Sequence, residues 1–527
     1  MHLIDIYPAK GTFTPGEPIS LFAELLTKVS ADATIQLAIY HLADSIAEIE
    51  IPVSLDPGAH RVSLLWQPET KMLGGYGVRA TLVHPTTERE GSYTTAFDVL
   101  TTWTDYPRYG FLCDFGPGRQ DVEQVLDALL KYHINGLQFY DWLYRHDTLV
   151  SPTEEYVDPL GRPLSLHTVE RFVGAAHQRG MAAMPYLAVY AASLEFARTH
   201  PDWALYDELG KPYTFEDFLG LMDPSPGSPW IRHLLDQCGE ALKRLSFDGL
   251  HVDQYGEPRS GFTAAGEPVD IPTAFASFVE LLKKRYGSAP VTFNAVKNWP
   301  IDFLANTPLD FLYIELWPST PYYRDILNVV LESRGKSSGK PLVIAIYLPA
   351  ERPINVRLVD ALILSGGATR IELGEDQRLL SDPYFPKHQA IDPQLKRILR
   401  TYADFAVRYG ELIGPRAEDL ADLELALPDG VWSVARRSGR RLAINLINMA
   451  GLEDPVWTES HPAPQTLNNF PVRLFVGENV QHVFYTCPDN DDLAMKSLSW
   501  SSGDRWIEVI VPSLEFWTML VIETLTS

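Results

Sequence analysis

The chain has 527 residues, 46% apolar and 21% charged, which is the composition of a globular protein with room for about three domains. Its 68 acidic residues outnumber 44 basic ones, and a net charge of -24 argues against nucleic acid or an anionic membrane surface as a partner. The three cysteines, Cys113, Cys238 and Cys487, are far apart, so we expect reduced structural thiols and neither a disulfide framework nor a zinc site.

The N-terminal stretch "MHLIDIYPAKGTF" lacks a basic region followed by an apolar one, and nowhere do 18 apolar residues run without a charge. We therefore expect a cytoplasmic protein, or a secreted one if a signal was removed from the sequence given. Residues 1–103 show short alternating runs such as "ATIQLAIYHL" and "YGVRATLVHP", separated by turns at roughly ten-residue spacing. This pattern predicts an immunoglobulin-like β-sandwich.

Residues 104–414 alternate short apolar runs with amphipathic helical stretches such as "RQDVEQVLDALLKY". Eight such repeats predict a (β/α)8 TIM barrel, with a doubly wound sheet as the alternative. The predicted strands are Tyr109–Phe115, Ile134–Tyr140, Ala182–Tyr190, Gly249–Asp253, Val291–Val296, Phe311–Trp317, Leu342–Leu348 and Ala368–Leu373. Residues 415–527 return to alternating runs, such as "RRLAINLIN", and predict a C-terminal antiparallel β-sandwich.

Barrel enzymes carry their active sites at the C-terminal ends of the strands, so polar residues at those ends are candidates. We find no glycine-rich phosphate loop, no GxSxG motif and no metal-binding spacing beyond the pair His251 and Asp253, so no cofactor or metal is expected. The strand ends instead offer carboxylates and aromatic side chains: Asp114, Tyr140, Asp141, Trp142, Tyr190, Asp253, Asn294, Glu315, Tyr347 and Glu372.

Asp253 in "FDGLHVDQYGEPR" and Glu315 in "LDFLYIELWPST" form the best carboxylate pair. They end strands four and six, whose alternate residues point into the same layer of a barrel, so both can reach one pocket. Two carboxyls can cleave a glycosidic bond, at about 5 to 5.5 Å apart with retention or about 6.5 to 9.5 Å with inversion. Each carboxylate taken singly is equally compatible with an ion pair or a helix N-cap. Two buried together should divide into one ionised and one protonated group.

At these residues the sequence resembles glycoside hydrolase family 66, the dextranases and cycloisomaltooligosaccharide glucanotransferases. Four segments carry the resemblance in order along the chain: "LQFYDWLYRHD", "FDGLHVDQYG", "FNAVKNWP" and "FLYIELWP". It extends over most of the chain and implies a retaining α-1,6-glucan hydrolase of the endo-dextranase type. Asp253 is then the nucleophile, and Glu315 the general acid and later the base.

An oligo- or polysaccharide substrate requires subsites in which aromatic faces pack on sugars and polar groups bind hydroxyls. The candidates for this role are Tyr140, Asp141, Trp142, Tyr190, Tyr255, Asn294, Trp299, Trp317, Tyr347 and Glu372. The segment Ala191–Pro229 is expected to frame one wall of the cleft. Gly249 is expected to let its strand approach a neighbour, and Gly256 to turn the chain so that Asp253 faces the cleft.

One departure from the family concerns cyclisation. The resemblance implies a carbohydrate-binding insertion after strand seven in the cyclising members, whereas "YLPAERPINVRLVDALIL" passes from strand to helix within a few residues. Hydrolysis is therefore expected over cyclisation. Two alternatives stay open: a glycosidase or transglycosylase that acts on another α-glycoside, and a non-catalytic carbohydrate-binding protein on a degenerate barrel.

Overall fold

The computed structural model describes residues 1–69, 72–84, 90–476, 479–503 and 506–525, and its elements fall into three groups along the chain. The first group is a β-sandwich whose two antiparallel sheets enclose one apolar core, built from alternate residues of each strand. Its three-stranded sheet comprises His2–Pro8, Ile19–Thr27 and Gly58–Trp66. Its four-stranded sheet comprises Asp44–Leu55, Ala31–His41, Gly74–Val83 and Glu90–Val99.

The second group is a barrel of eight parallel strands, each paired with the next in sequence. A parallel bridge between Phe111 of the first strand and Gly374, four residues after the last strand, closes the barrel. The predicted barrel between two sandwiches is thereby confirmed. The strands are β1 (Tyr109–Leu112), β2 (Gly136–Phe139), β3 (Ala182–Ala188), β4 (Leu250–Asp253), β5 (Val291–Val296), β6 (Leu312–Leu316), β7 (Leu342–Ile346) and β8 (Thr369–Arg370).

Helices surround the barrel and present apolar faces to the strands. Several begin at a side-chain cap, as where Ser228 accepts a hydrogen bond from the backbone of Ile231. The helices are α1 (Val122–Leu130), α2 (Leu166–Gln178), α3 (Leu194–Thr199), α4 (Pro229–Leu245), α5 (Ile271–Arg285), α6 (Ile301–Leu304), α7 (Tyr323–Lys336), α8 (Pro353–Ser365), α9 (Pro393–Arg408) and α10 (Gly410–Ile413). None of the described helices is long and apolar enough to span a membrane.

The first barrel strand is shorter than predicted, and Glu375 explains why. Its carboxylate accepts the backbone N–H groups of Cys113 and Asp114, both at 2.8 Å, so those groups do not continue the strand ladder. The prediction for Gly249 is confirmed, because a Cβ there would lie 2.2 Å from the carbonyl oxygen of Pro290. The prediction for Gly256 is also confirmed, since it adopts a φ of 80° in the turn that follows Asp253.

The third group is the C-terminal β-sandwich, with its own apolar core between a six-stranded and a four-stranded sheet. The six-stranded sheet comprises Glu418–Leu420, Val431–Ser438, Arg441–Asn448, Trp517–Thr524, Val480–Thr486 and Lys496–Ser497. The four-stranded sheet comprises Leu425–Ala426, Leu467–Phe475, Trp506–Leu514 and Trp500–Gly503. The boundary predicted after residue 103 falls in the 3-10 turn Trp103–Asp105, and the one after residue 414 follows α10; both stay predictions.

Buried ionic contacts join the N-terminal sandwich to the barrel. Asp404 on α9 accepts hydrogen bonds from Thr95 and Ala96 of the sandwich, from His133 at 2.7 Å and from Arg400 at 3.2 Å. Burial alone would raise the pKa of Asp404, but Arg400 and His133 hold it below its usual value. The carboxylate therefore stays ionised and fully hydrogen-bonded at this interface.

Candidate active site

A cavity of about 240 Å³ lies inside the C-terminal mouth of the barrel and contains both predicted catalytic carboxylates. Its described lining holds Asp253 and Glu315 but no Lys or Arg, so the two acidic groups face each other without a cation in the wall. The other lining residues are Gln138, Tyr140, Tyr186, Phe215, His251, Gln254, Tyr255, Asn294, Val296, Tyr313, Trp317, Tyr347, Pro383 and Phe385.

The side-chain amide of Asn294 bridges the two carboxylates. Its Nδ2 donates to Oδ1 of Asp253 at 2.7 Å and to Oε2 of Glu315 at 2.8 Å. Because both contacts share one nitrogen, these two oxygens are at most about 5.5 Å apart (2.7 plus 2.8 Å). The arrangement follows from strand order, since β5 lies between β4 and β6.

Both carboxyl groups are buried, and burial raises their pKa values. Burial raises the pKa of Asp253, and the neighbouring charge of Glu315 raises it further. Burial also raises the pKa of Glu315, against the stabilising effect of hydrogen bonds from Tyr347 and Asn294 and the charge of Lys297. Two buried carboxylates this close do not both ionise readily, so the arrangement favours one ionised and one protonated group.

His251 lies directly beneath the carboxylates and packs among aromatic rings. It is 1% exposed, its Nδ1 is 3.3 Å from the hydroxyl of Tyr109, and Tyr313 meets it edge to face. Burial lowers the pKa of His251 to about 3, so the imidazole is neutral. The pairing of His251 with Asp253 is thus part of the barrel packing; within the described residues, no three His, Cys, Asp or Glu side chains are grouped to hold a metal ion.

An outer cleft of about 590 Å³ adjoins the cavity and shares part of its lining. Two stacked aromatic pairs flank the passage between them. Tyr140 lies against Phe385 with ring centroids 4.2 Å apart, and Tyr255 lies against Phe215 at 4.0 Å. Phe215 belongs to the segment that follows β3, so the prediction that Ala191–Pro229 frames a wall of the cleft is confirmed.

Charged side chains line the outer cleft beyond these rings. Asp141 follows β2 and lies 3.6 Å from the guanidinium of Arg162, which also pairs with Asp158 at 2.7 Å. Burial raises the pKa of Asp141 to about 7, and the charge of Arg162 opposes that rise. Trp317 lines both the cavity and the cleft, and the ammonium of Lys297 lies 5.3 Å from the centre of its ring. The cleft thus offers both aromatic faces and carboxyl groups to a ligand.

Two predicted subsite residues lie beneath the site instead of in its wall. Trp142 is fully buried, and its indole N–H donates to the carbonyl oxygen of Tyr186 at 3.1 Å. Tyr190 is also fully buried; its hydroxyl donates to the carbonyl oxygen of Glu257 and accepts from the N–H of Tyr255. Neither lines the cavity or the cleft, so the site proposed below omits them.

Two further predicted residues also fall outside both spaces. Arg370 points out of the barrel and pairs with Asp360 of α8. Glu372 follows two residues later, so its side chain points to the same side, and its carboxylate lies 2.8 Å from the guanidinium of Arg370. Trp299 contributes its carbonyl oxygen to a hydrogen bond from Gln254, while its ring lies under Arg259 at 5.1 Å. Asp114 lies in a separate cleft beside Arg119. The proposed site omits these side chains.

Several lining residues were missed because only strand ends were searched. Side chains alternate along a strand, so the residue two positions before an inward strand end also points inward. That rule would have found Gln138, His251 and Tyr313. Tyr186, whose hydroxyl lies beside Asp253 and favours its ionised form, occupies a similar position on β3. Phe215 and Phe385 carry no such signal, because neither belongs to a barrel strand: Phe215 lies in the two-residue strand Thr214–Phe215 of the segment after β3, and Phe385 begins the 3-10 turn Phe385–Lys387.

Comparison with known proteins places this geometry in a family. A cycloisomaltooligosaccharide glucanotransferase from Niallia circulans is 22% identical over 99% of this chain and 72% of its own length. A second glucanotransferase of that name and organism is 22% identical over 98% of this chain and 71% of its own.

Solved structures agree with the sequence relatives. The crystal structure of a Paenibacillus sp. cycloisomaltooligosaccharide glucanotransferase, complexed with cycloisomaltoheptaose, has a TM-score of 0.90 at 22% identity and covers 98% of this chain and 99% of its own. The maltogenic alpha-amylase AmyB from Thermotoga neapolitana has a TM-score of 0.54 at 15% identity over 80% of this chain and 99% of its own, and shares the fold alone. The sequence profile of glycosyl hydrolase family 66 matches residues 8–521. The chain therefore belongs to glycosyl hydrolase family 66.

Proposed function

We propose that the chain is a retaining glycoside hydrolase that cleaves α-1,6-glucosidic linkages of dextran or isomaltooligosaccharides. One observation carries the proposal: the facing oxygens of Asp253 and Glu315 are held within about 5.5 Å by one shared donor. This upper bound on the distance between the two facing oxygens is compatible with the separation of about 5 to 5.5 Å used with retention, and it favours retention over the roughly 6.5 to 9.5 Å that leave room for an inverting water.

The reaction has two displacements. The Asp253 carboxylate attacks the anomeric carbon while Glu315 gives its proton to the glycosidic oxygen, and the bond between that carbon and oxygen breaks. Glu315, now a carboxylate, takes a proton from water, whose oxygen attacks the same carbon and releases Asp253. Burial raises the pKa values of both carboxyl groups, which favours a pair that shares one proton, as the two displacements require. The positive charge that develops on the sugar favours ionised Asp253 and leaves the proton on Glu315.

An α-1,6-glucan is the substrate class that the site and its relatives favour together. The stacked pairs Tyr140–Phe385 and Tyr255–Phe215 offer faces for the C–H surfaces of glucose, and Asp141 and Trp317 add polar and aromatic contacts beyond them. The Paenibacillus relative, with 22% identity, was crystallised with cycloisomaltoheptaose.

Transglycosylation is the second candidate, because both Niallia relatives and the Paenibacillus enzyme are named glucanotransferases. Two observations favour hydrolysis. The connection from β7 to α8 has only the residues between Ile346 and Pro353, with no room for the insertion expected of cyclising members. The alignment with one relative runs over 707 positions against a chain of 527 residues, so that relative has at least about 180 residues absent here (707 minus 527). We infer that the short connection after β7 leaves water free to act as the acceptor.

The decisive experiment compares wild type with Asp253→Asn and Glu315→Gln on dextran, isomaltotriose, pullulan and aryl galactosides. We expect release of short isomaltooligosaccharides by wild type, products first formed as the α-anomer by NMR, and loss of most turnover in both variants with unchanged thermal unfolding. Azide should restore Glu315→Ala and give an α-glycosyl azide. Near-normal dextran hydrolysis by Asp253→Asn would refute the assignment of the nucleophile. Cyclic products would favour a transferase, and release of galactose alone would show that the substrate is a galactoside. Binding of dextran without turnover would favour a non-catalytic protein.

A further inference from the structure

The amide of Asn294 does more than occupy the space between the carboxylates. It is 4% exposed, lies on the strand between those of Asp253 and Glu315, and gives one hydrogen to each of them. On the basis of the proposed function, we infer that Asn294 is a positioning residue that holds nucleophile and acid/base at a fixed separation through both displacements. This role differs from the sugar contact expected of it from sequence.

The orientation of the amide follows from charge. If the group were turned around, its oxygen would face two carboxylate oxygens at hydrogen-bond distance, which is a contact between acceptors. With the nitrogen in that place, both of its hydrogens have strong acceptors. Asn294 is therefore a double donor to the pair and sets a distance that neither carboxylate alone would keep.

The same two hydrogen bonds serve every state of the reaction. In the first displacement Oδ2 of Asp253 forms the bond to the anomeric carbon, and Oδ1 becomes the carbonyl oxygen of the ester. The negative charge leaves Asp253 and appears on Glu315 as its proton goes to the leaving oxygen; the second displacement reverses both changes. Throughout, Asn294 donates to one charged and one neutral acceptor, so the donor needs no reorientation as charge crosses the site.

Asn294→Asp tests the double donor, because it keeps the shape and replaces the donating nitrogen by an acceptor. At neutral pH we expect kcat to fall by about 100-fold or more with KM little changed, a larger loss than in Asn294→Ala, since a third acceptor repels the pair. Partial recovery is expected at low pH, where the introduced carboxyl is protonated and donates again. A residue that only fills space would give the opposite order, and a sugar contact alone would raise KM; either result overturns the inference.

Further measurements separate this inference from the proposed function. On α-glucosyl fluoride, whose leaving group needs no proton, Asn294→Asp should still be slow because the nucleophile is displaced, whereas Glu315→Gln should keep its first step. Thermal unfolding and the control Thr292→Ser, which keeps the hydrogen bond from β5 to the carbonyl oxygen of Phe311, monitor folding. Wild-type rates in Asn294→Asp together with an inactive Asp253→Asn would refute the positioning role alone; an active Asp253→Asn would refute the proposed function itself.

Discussion

Tyr347 donates its hydroxyl hydrogen to Oε1 of Glu315 at 2.7 Å and directly follows β7. This donor stabilises the ionised form of Glu315, so Tyr347→Phe should raise the pKa of that carboxyl and move the alkaline limb of the pH–kcat profile to higher pH. We also expect kcat to fall about tenfold, since a hydrogen bond to a charged group is lost. The pH–kcat profile on isomaltotriose checks both, and an alkaline limb at the wild-type position would contradict the prediction.

Lys297 should influence the same carboxyl through its charge. Its ammonium lies over Trp317 and lowers the pKa of Glu315, so Lys297→Met should raise that pKa and move the alkaline limb upward by on the order of half a pH unit. Lys297→Arg keeps the charge and should leave the limb in place. High salt should reduce the difference between wild type and Lys297→Met, and equal profiles for all three proteins at low salt would count against an electrostatic effect.

Removal of one cleft wall should weaken binding more than turnover. Phe215 stacks on Tyr255 at 4.0 Å, outside the layer of the carboxylates. Phe215→Ala should raise KM for isomaltooligosaccharides about tenfold and leave kcat within about twofold, because the lost contact is made in ground and transition states alike. Phe303→Ala, at an exposed position on α6, is the matched control. A fall in kcat at constant KM would instead connect Phe215 to the chemical step.

Substitution of two tryptophans near the site should affect different properties, stability for one and substrate binding for the other. Trp142 is fully buried beneath the cavity, so Trp142→Phe should lower the unfolding free energy by about 1 to 3 kcal/mol while KM stays unchanged. Trp317 lines the cavity and the cleft, so Trp317→Phe should raise KM with little change in stability. Denaturant titration and initial-rate kinetics of both variants measure these effects, and a raised KM in Trp142→Phe would return that residue to the subsites.

Asp404 should make stability depend on pH at the junction of the N-terminal sandwich and α9. Its folded-state pKa is below the unfolded value, so its contribution is complete above the unfolded pKa and is lost as pH falls through the folded one. Asp404→Asn should cost about 3 to 5 kcal/mol at neutral pH, because His133 and Arg400 lose their buried charged partner. Asp302→Asn, at a surface ion pair with Lys336, should cost under about 1 kcal/mol. Equal melting temperatures for the two variants would refute the assigned role.

The barrel and its carboxylate pair were predictable because both leave local traces. Each buried strand is a short apolar run; Asp253 ends one of them and Glu315 is the last but one residue of another, where a charge has no packing function. Glu372 has the same local trace but faces Arg370 outside the barrel, two residues beyond the end of the two-residue strand β8. Strand length thus limits what a strand-end argument can assign.

The cleft walls were not predictable from sequence for a different reason. Phe385 stacks on Tyr140 from a position more than 240 residues later in the chain, and nothing in either local sequence names the partner. The bridging role of Asn294 likewise depends on two hydrogen bonds to other strands, whereas its sequence position indicates only a polar strand end. Long-range contacts of this kind follow from how the barrel closes.

The turn between Ile346 and Pro353 begins with Tyr347, the donor to Glu315. Any module that evolution or a protein engineer adds at this turn must join the chain after Tyr347 to keep that hydrogen bond, which leaves the residues from Leu348 to Arg352 as the grafting site. A module grafted there would begin next to Tyr347, the hydrogen-bond donor to Glu315. In the proposed mechanism, a rigid module at this turn would lie beside Glu315 and favour a second sugar over water as the acceptor.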